Sequence, residues 1–112
     1  MQIHDVKSAA TAAVAARPDR PAMAVMHDSA DVRLVVFRIE PGQQVATHTN
    51  ASTVVLAVIE GTGFVSGAEG ERAATVGDVI VFEPREPHAM RSNGARFMVL
   101  AAITPRPGER QG

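Results

Sequence analysis

Short β-rich runs separated by turn-forming residues make up the chain from residue 22 onward, and this pattern limits its fold most strongly. The residues between the runs are mainly Gly, Pro, Asp and Asn, which favour turns. Many short strands at regular spacing are typical of an antiparallel sandwich or barrel. The sequence therefore predicts an all-β antiparallel fold with strands over 23–26, 32–39, 53–59, 63–66, 72–76, 79–82, 88–92 and 96–103.

The length of the chain limits it to one domain. Its 112 residues can bury one core but not two, so we assign residues 1–112 to a single domain with its barrel at about 32–103. An Ala-rich segment over 5–17 predicts a short helix ahead of the barrel, capped by Asp5 and ended by Arg17-Pro18. The polar, Pro- and Gly-rich tail over 105–112 is expected to be loosely held.

Composition excludes several classes of function. The net charge is −1, with four Phe and no Trp or Tyr, so neither nucleic acid nor a membrane surface is an expected partner. The sequence has no signal-type apolar segment and no run near the roughly 18 apolar residues of a membrane span, so we expect a cytoplasmic protein. Cysteine is absent, and a metal would have to be held by His, carboxylate, amide or water.

Two histidines have surroundings that indicate a pocket. On a strand, residues i and i+2 face the same side, so His48 and Asn50 point into one space, which Val54 of the next strand can also line. His88 follows a proline-bounded loop and begins a strand on which Met90 shares its side. We therefore predict a ligand pocket lined by His48, Asn50, Val54, His88 and Met90.

The stretch from Pro41 to Met90 resembles the two motifs of the cupin superfamily. The first motif is Gly, five residues, His-x-His, three or four residues, Glu, six residues and Gly; the second is Gly-Asp, a strand, a proline-bearing loop and Pro-His. The matching positions are Gly42, His48, Asn50, Val54 and Gly61 for the first motif, and Gly77, Asp78, Pro87 and His88 for the second. This resemblance to small single-domain bacterial cupins implies an RmlC-like jelly-roll barrel, in which the two histidines approach each other across the interior.

The departures from the motif concern the metal. In metal-binding cupins three His and one Glu hold the ion, whereas this chain keeps only His48 and His88 and has Asn50 and Val54 at the other places. A neutral amide is a poor ligand for Zn²⁺, Fe²⁺ or Ni²⁺, and Val54 offers no ligand atom. We expect no tightly bound cofactor and at most a weakly held divalent metal at the two histidines. Glu83 and Glu86 are the first candidates to complete such a site.

Three functions follow from these residues. The first is a small-molecule-binding cupin whose ligand is oriented by His48, Asn50 and His88, since a barrel of this size encloses a pocket for one small ligand. The alternative is a metal-dependent (Fe, Mn, Ni or Zn) cupin enzyme such as a dioxygenase or isomerase, although two histidines fall short of a facial triad. The third is an interaction module. The fold alone does not choose among them, and no catalytic residue is assigned.

Two of the predicted strands, over 53–59 and 97–103, are apolar on both faces. One face can fill the barrel, but the other needs a cover, which must be a second sheet or a partner chain. We therefore expect a homodimer.

Overall fold

The structure, a computed structural model, describes residues 1–106 and arranges them as two antiparallel sheets with one short helix. The strands are β1 (Ala22–Asp28), β2 (Arg33–Ile39), β3 (Gln44–His48), β4 (Thr53–Glu60), β5 (Thr62–Gly67), β6 (Gly70–Thr75), β7 (Val79–Phe82), β8 (His88–Ser92) and β9 (Phe97–Thr104). One sheet has the order β1-β2-β9-β4-β7 and the other β3-β8-β5-β6. The predicted all-β jelly-roll barrel is confirmed. The predicted loose tail covers residues 105–112, and its part after Arg106 lies outside the described residues.

The core fills the space between the two sheets because side chains alternate along each strand. On β4, Val54, Leu56 and Val58 are buried, and the residues between them face outward. Leu56 pairs with Ala101 and Val58 with Val99 on β9, so the buried faces of both strands coincide. This register turns one face of the larger sheet into a wall of the barrel interior.

Strand β3 is absent from the predicted set. Its residues Gln44–His48 are largely exposed, so they lack the buried alternation that identifies the other strands. The chain enters β3 through a turn in which the Gln43 N–H donates to the Glu40 carbonyl at 3.0 Å and Gly42 adopts a φ of 85°. Glycine tolerates this left-handed conformation, and the turn places β3 at the edge of the smaller sheet.

The predicted helix over 5–17 is too long. Helix α1 covers Val6–Ala12, and Asp5 caps it as expected by accepting a hydrogen bond from the Ser8 N–H at 3.1 Å. After α1 the Ala13 backbone is extended, and the Arg38 guanidinium donates to the carbonyls of Ala10, Thr11 and Ala13. These hydrogen bonds satisfy carbonyl groups that the N–H groups of a further helical turn would otherwise satisfy. In the part of the chain that the structure describes, no helix is long and apolar enough to cross a membrane.

The outer face of the larger sheet is only partly covered. Helix α1 packs Ala10 against Val36 and Met98, which are fully buried. Farther along the same face, two cross-strand rows run through Val81, Val55, Ala102 and Leu34 and through Val79, Ala57, Leu100 and Val36. At the β7 end, Val79 is 64% exposed and Val81 is 53% exposed. The helix therefore supplies part of the cover, and the homodimer stays a prediction.

Candidate functional site

His48 and His88 are neighbours on adjacent strands, and both line the same cavity. They are register partners between β3 and β8, and their ring centroids lie 4.3 Å apart at an interplanar angle of 61°. The sequence predicts that the two imidazoles approach each other across the interior, and the pairing of β3 with β8 brings them together on one wall. Two residues 40 positions apart in the sequence thus form one edge-to-face pair.

The hydrogen bonds of the two rings indicate which ring nitrogen carries the proton. His48 Nδ1 lies 2.9 Å from the Ala46 carbonyl oxygen, and His88 Nδ1 lies 2.8 Å from the Glu86 carbonyl oxygen. A carbonyl only accepts, so each Nδ1 must carry a proton and donate it. In the neutral rings each Nε2 then carries a lone pair. The pair therefore offers two hydrogen-bond acceptors, or two metal-ligating nitrogens, from one wall.

These rings line a small, mainly apolar cavity of about 40 Å³, enough for a few water molecules. The structure places all five predicted pocket residues on its wall. The complete lining is Phe37, Val45, His48, Asn50, Val54, Leu56, Phe82, His88, Ala89, Met90, Ala101 and Ile103. Polar groups are therefore confined to the two imidazoles and one amide.

Asn50 reaches the cavity from the loop after β3, because the strand ends at His48. Its side-chain oxygen accepts from the Ser52 N–H at 3.0 Å, which leaves the amide NH₂ as its remaining donor. Its backbone carbonyl accepts from the Arg85 N–H at 2.7 Å, and Arg85 has a φ of 68°. A non-glycine residue in this conformation is strained, so the contact with Asn50 holds the β7–β8 loop in an otherwise unfavourable shape.

The two imidazoles differ in burial. His88 is 7% exposed and stacks on the Phe82 ring at a centroid distance of 4.8 Å, whereas His48 is exposed. Burial, with a smaller contribution from nearby His48, holds the pKa of His88 below its usual value of 6.5. The buried ring is accordingly neutral near pH 7 and keeps its Nε2 lone pair.

The residues present do not fit the four-ligand metal set that the cupin resemblance implies. Val54 and Asn50 occupy the places of the carboxylate and the second imidazole. Glu86 is directed elsewhere: its carboxylate oxygens accept from the Ala68 and Glu83 N–H groups, which hold its pKa below the usual value, and it is not among the residues that line the cavity. The Glu83 side chain is exposed. Within residues 1–106, no group of three or more His, Asp or Glu side chains could hold a metal ion.

Sequence reasoning missed seven of the twelve lining residues, among them Phe82, Phe37 and Val45. Phe82 stacks on His88, and Phe37 and Val45 close the cavity beside β3. The second motif does contain a signal for Phe82, since it ends the apolar strand just before the loop to His88. Phe37 and Val45 had no such signal, because their position depends on how the two sheets meet.

Comparisons with known proteins identify relatives of the same fold. A family model described as the cupin domain matches residues 35–103. The protein TT1209 from Thermus thermophilus is similar over 96% of this chain and 100% of its own, with 24% identity and a TM-score of 0.85. An RmlC-like cupin protein from Desulfovibrio desulfuricans matches over 94% and 97%, with 27% identity and a TM-score of 0.78.

A third solved structure bears the name of an enzyme. The DMSP lyase DddQ from Ruegeria pomeroyi is 18% identical with a TM-score of 0.72, and the match covers 91% of this chain but 55% of that one. At this identity the likeness concerns the fold alone. No curated protein sequence matches this chain.

Proposed function

This chain belongs to the cupin family, and we propose that its barrel binds a small organic molecule in the cavity beside His48 and His88. The observation that carries the proposal is the pair of imidazoles whose Nδ1 atoms donate to backbone carbonyls and whose Nε2 atoms are left as acceptors. The rest of the cavity wall is apolar except for Asn50. An apolar lining with a few convergent polar groups is typical of small-molecule sites, and at about 40 Å³ this cavity admits the head group of such a ligand.

The polar groups define the chemistry of the ligand. Two imidazole acceptors favour a ligand that presents a hydroxyl or N–H donor, and the Asn50 NH₂ favours an acceptor atom close by. A ligand without such a donor would leave the buried His88 Nε2 unpaired, which costs binding free energy. We therefore expect a neutral, donor-bearing group to occupy the inner cavity.

The alternative is a metal-dependent cupin enzyme, and one observation favours it. The ring nitrogen of a metal-ligating histidine that does not bind the metal almost always donates its N–H to a partner such as a carbonyl or carboxylate. The Nδ1 atoms of both rings donate to carbonyls here. The missing carboxylate weighs against it, because two neutral imidazoles supply no charge to compensate a divalent ion. Fe, Mn, Ni or Zn would then be held weakly and would need a ligand to complete the site.

The test follows the imidazole nitrogens by ¹⁵N NMR while isobutanol is titrated into the protein at pH 7.5. We expect isobutanol to shift the Nε2 resonances of His48 and His88, with surface His27 as the internal reference. Its methyl ether, which keeps the apolar body but lacks the donor, should bind about two- to tenfold more weakly. His88→Phe should abolish this preference for the alcohol.

Two results would overturn the proposal. One is equal binding of the alcohol and the ether, since the imidazoles would then play no part. The other is stoichiometric, nanomolar binding of Zn²⁺ or Ni²⁺ by the unmodified chain, which would favour the metal-dependent alternative.

A further inference from the structure

A second, larger cavity adjoins the imidazole cavity along the seam between the two sheets. This groove has a volume of about 640 Å³, and its lining is Val14, Ala16, Arg17, Asp19, Arg20, Pro21, Met23, Phe37, Gln44, Val45 and Ala46. Phe37 and Val45 line both spaces. The two spaces therefore lie next to each other and share these two side chains as a common boundary.

The outer wall of the groove is held in place by side chains of the barrel. It consists of the segment over 13–21, which leads from α1 to β1. Arg38 donates to the Ala13 carbonyl at 2.9 Å, and Gln43 Nε2 donates to the Pro18 carbonyl at 3.0 Å. The segment also closes on itself, as the Arg20 N–H donates to the Arg17 carbonyl at 3.1 Å. The groove is thus bounded by an anchored segment.

The groove combines apolar side chains with an excess of positive charge. Met23 and Val14 are exposed, although both side chains are apolar. The charged lining residues are Arg17, Asp19 and Arg20, which leave an excess of one positive charge. Arg17 Nε lies 3.6 Å from an Asp19 carboxylate oxygen, whereas Arg20 has no ion pair among residues 1–106. An anionic group with an apolar body matches this surface.

We propose that the cavity and the groove form one elongated site for a hydroxy acid whose hydroxyl and carboxylate are separated by a run of methylenes. This inference rests on the proposed function. The hydroxyl donates to the imidazole pair, the methylenes pass Phe37 and Val45, and the carboxylate meets Arg17 and Arg20. Each end of the ligand thereby matches the polar groups at one end of the site.

The length of the site sets the length of the ligand. The cavity end of the site includes His48 and the groove end includes Gln44, both on β3. Four residues of strand span about 13 Å at 3.3 Å per residue, and less where the strand is bulged, as it is between Val45 and His48. A chain of about eight carbons is the appropriate probe, and shorter hydroxy acids should bind more weakly.

The experiment compares three matched probes by titration calorimetry and NMR at low ionic strength and pH 7.5. They are 8-hydroxyoctanoate, octanoate, which lacks the hydroxyl, and 1,8-octanediol, which lacks the charge. We expect 8-hydroxyoctanoate to bind most tightly and to shift both the imidazole nitrogens and the Met23 methyl. Its affinity should fall as salt is added, because exposed ion pairs are screened.

Paired variants locate the carboxylate. Replacing an exposed arginine should weaken carboxylate binding about two- to fivefold, so Arg17→Gln with Arg20→Gln should cost about tenfold for both acids. The diol should be unaffected by this change. Arg72→Gln is the matched control, since Arg72 is an exposed arginine on β6, away from the groove, and it should change nothing.

The outcomes separate this inference from the proposed function. If the diol and the hydroxy acid bind equally and both shift the imidazole nitrogens, the anionic groove is wrong while the small-molecule cavity stands. If the acids shift Met23 but never the imidazoles, the continuous site is wrong. The proposed function fails with it only if the diol also leaves the imidazole resonances unshifted. Absence of binding by all three probes would also overturn the inference.

Discussion

Restoring the two missing metal ligands should convert the imidazole cavity into a metal site at a measurable cost in stability. Val54 is 4% exposed and pairs with Phe82, whose ring stacks on His88. A glutamate at position 54 therefore has its carboxylate beside the imidazoles. The change Asn50→His with Val54→Glu would complete the three-His, one-Glu set.

The cost to the metal-free protein follows from the burial of position 54. Removing the valine loses about 1.5–3 kcal/mol of apolar burial, and an unpaired buried carboxyl costs about 1–3 kcal/mol more. Replacing Asn50 also removes the hydrogen bond from the Ser52 N–H, worth about 1 kcal/mol. These contributions add to about 3.5–7 kcal/mol, and we expect about 4 kcal/mol because the two methylenes of the glutamate keep part of the apolar burial. A loss of this size lowers the melting temperature by about 15 °C in a domain of this length.

Metal should reverse that loss only in the double variant. A ligand at about 1,000 times its Kd stabilises the folded state by about 4 kcal/mol, whereas at its Kd it contributes about 0.4 kcal/mol. With about 100 µM Zn²⁺ or Ni²⁺, the double variant should regain about 15 °C and the unmodified chain about 1–2 °C. Thermal melts with and without metal, together with titration calorimetry, measure both quantities.

The matched control is Asn50→His with Val54→Gln, which keeps the size of the side chain but not its charge. It should lose similar stability and recover much less with metal, because the carboxylate supplies the charge that compensates the ion. The reasoning is refuted if the double variant gains no more from metal than the unmodified chain. It is also refuted if the unmodified chain already binds metal stoichiometrically at nanomolar strength.

Three further predictions concern pH, the helix and assembly. The unfolded His88 ring takes up a proton near pH 6.5, whereas the folded ring does so only at a lower pH. The free energy of unfolding should therefore fall as the pH drops below 6.5. Urea melts measure this loss of stability, which His88→Gln should reduce. Arg38→Met removes the donors to the α1 carbonyls and should cost about 2 kcal/mol, measured by far-UV circular dichroism. Light scattering should show a dimer at micromolar concentration, which Val79→Lys with Val81→Lys disrupts and Val76→Lys does not.

For each of these three predictions, one experimental result would contradict the reasoning. An unfolding free energy that does not change between about pH 7.5 and 5.5 would contradict the burial argument for His88, because the lowered carboxylate pKa values act only below about pH 4.5. A loss under about 0.5 kcal/mol on replacing Arg38 would mean that water satisfies the helix carbonyls equally well. A monomer at micromolar concentration would contradict the dimer.

Most of the fold could be predicted because local patterns carry it. Alternation along β4 and β9 and the turn residues between runs indicate strands without knowledge of the partner strand. Gly61 illustrates the limit of such reasoning. The motif shows that a glycine stands at this position, but the sequence does not show why a glycine is required there. A Cβ there would lie 1.9 Å from the Arg96 carbonyl oxygen, a contact between residues far apart in the sequence.

The end of α1 could not be predicted for a similar reason. Alanine favours helix through Ala16, yet the chain leaves the helix after Ala12 because Arg38, from β2, donates to its carbonyls. Helix propensity is worth a fraction of a kcal/mol per residue, so a charged donor brought by the tertiary fold outweighs it. Strand β3 was missed because its residues Gln44–His48 are largely exposed.

The sequence by itself determined eight of the nine described strands, the family motifs and five of the residues that line the cavity, because these depend on alternation and spacing. Only the tertiary structure decided that His48 and His88 are neighbours on one wall, that backbone carbonyls leave both Nε2 atoms as acceptors, and that Glu86 is committed to backbone N–H groups. It also decided that the anchored segment over 13–21 bounds a charged groove beside the cavity. The physical reason is that hydrogen-bond partners, ring contacts and the seam between sheets join distant parts of the chain, and no local pattern encodes them.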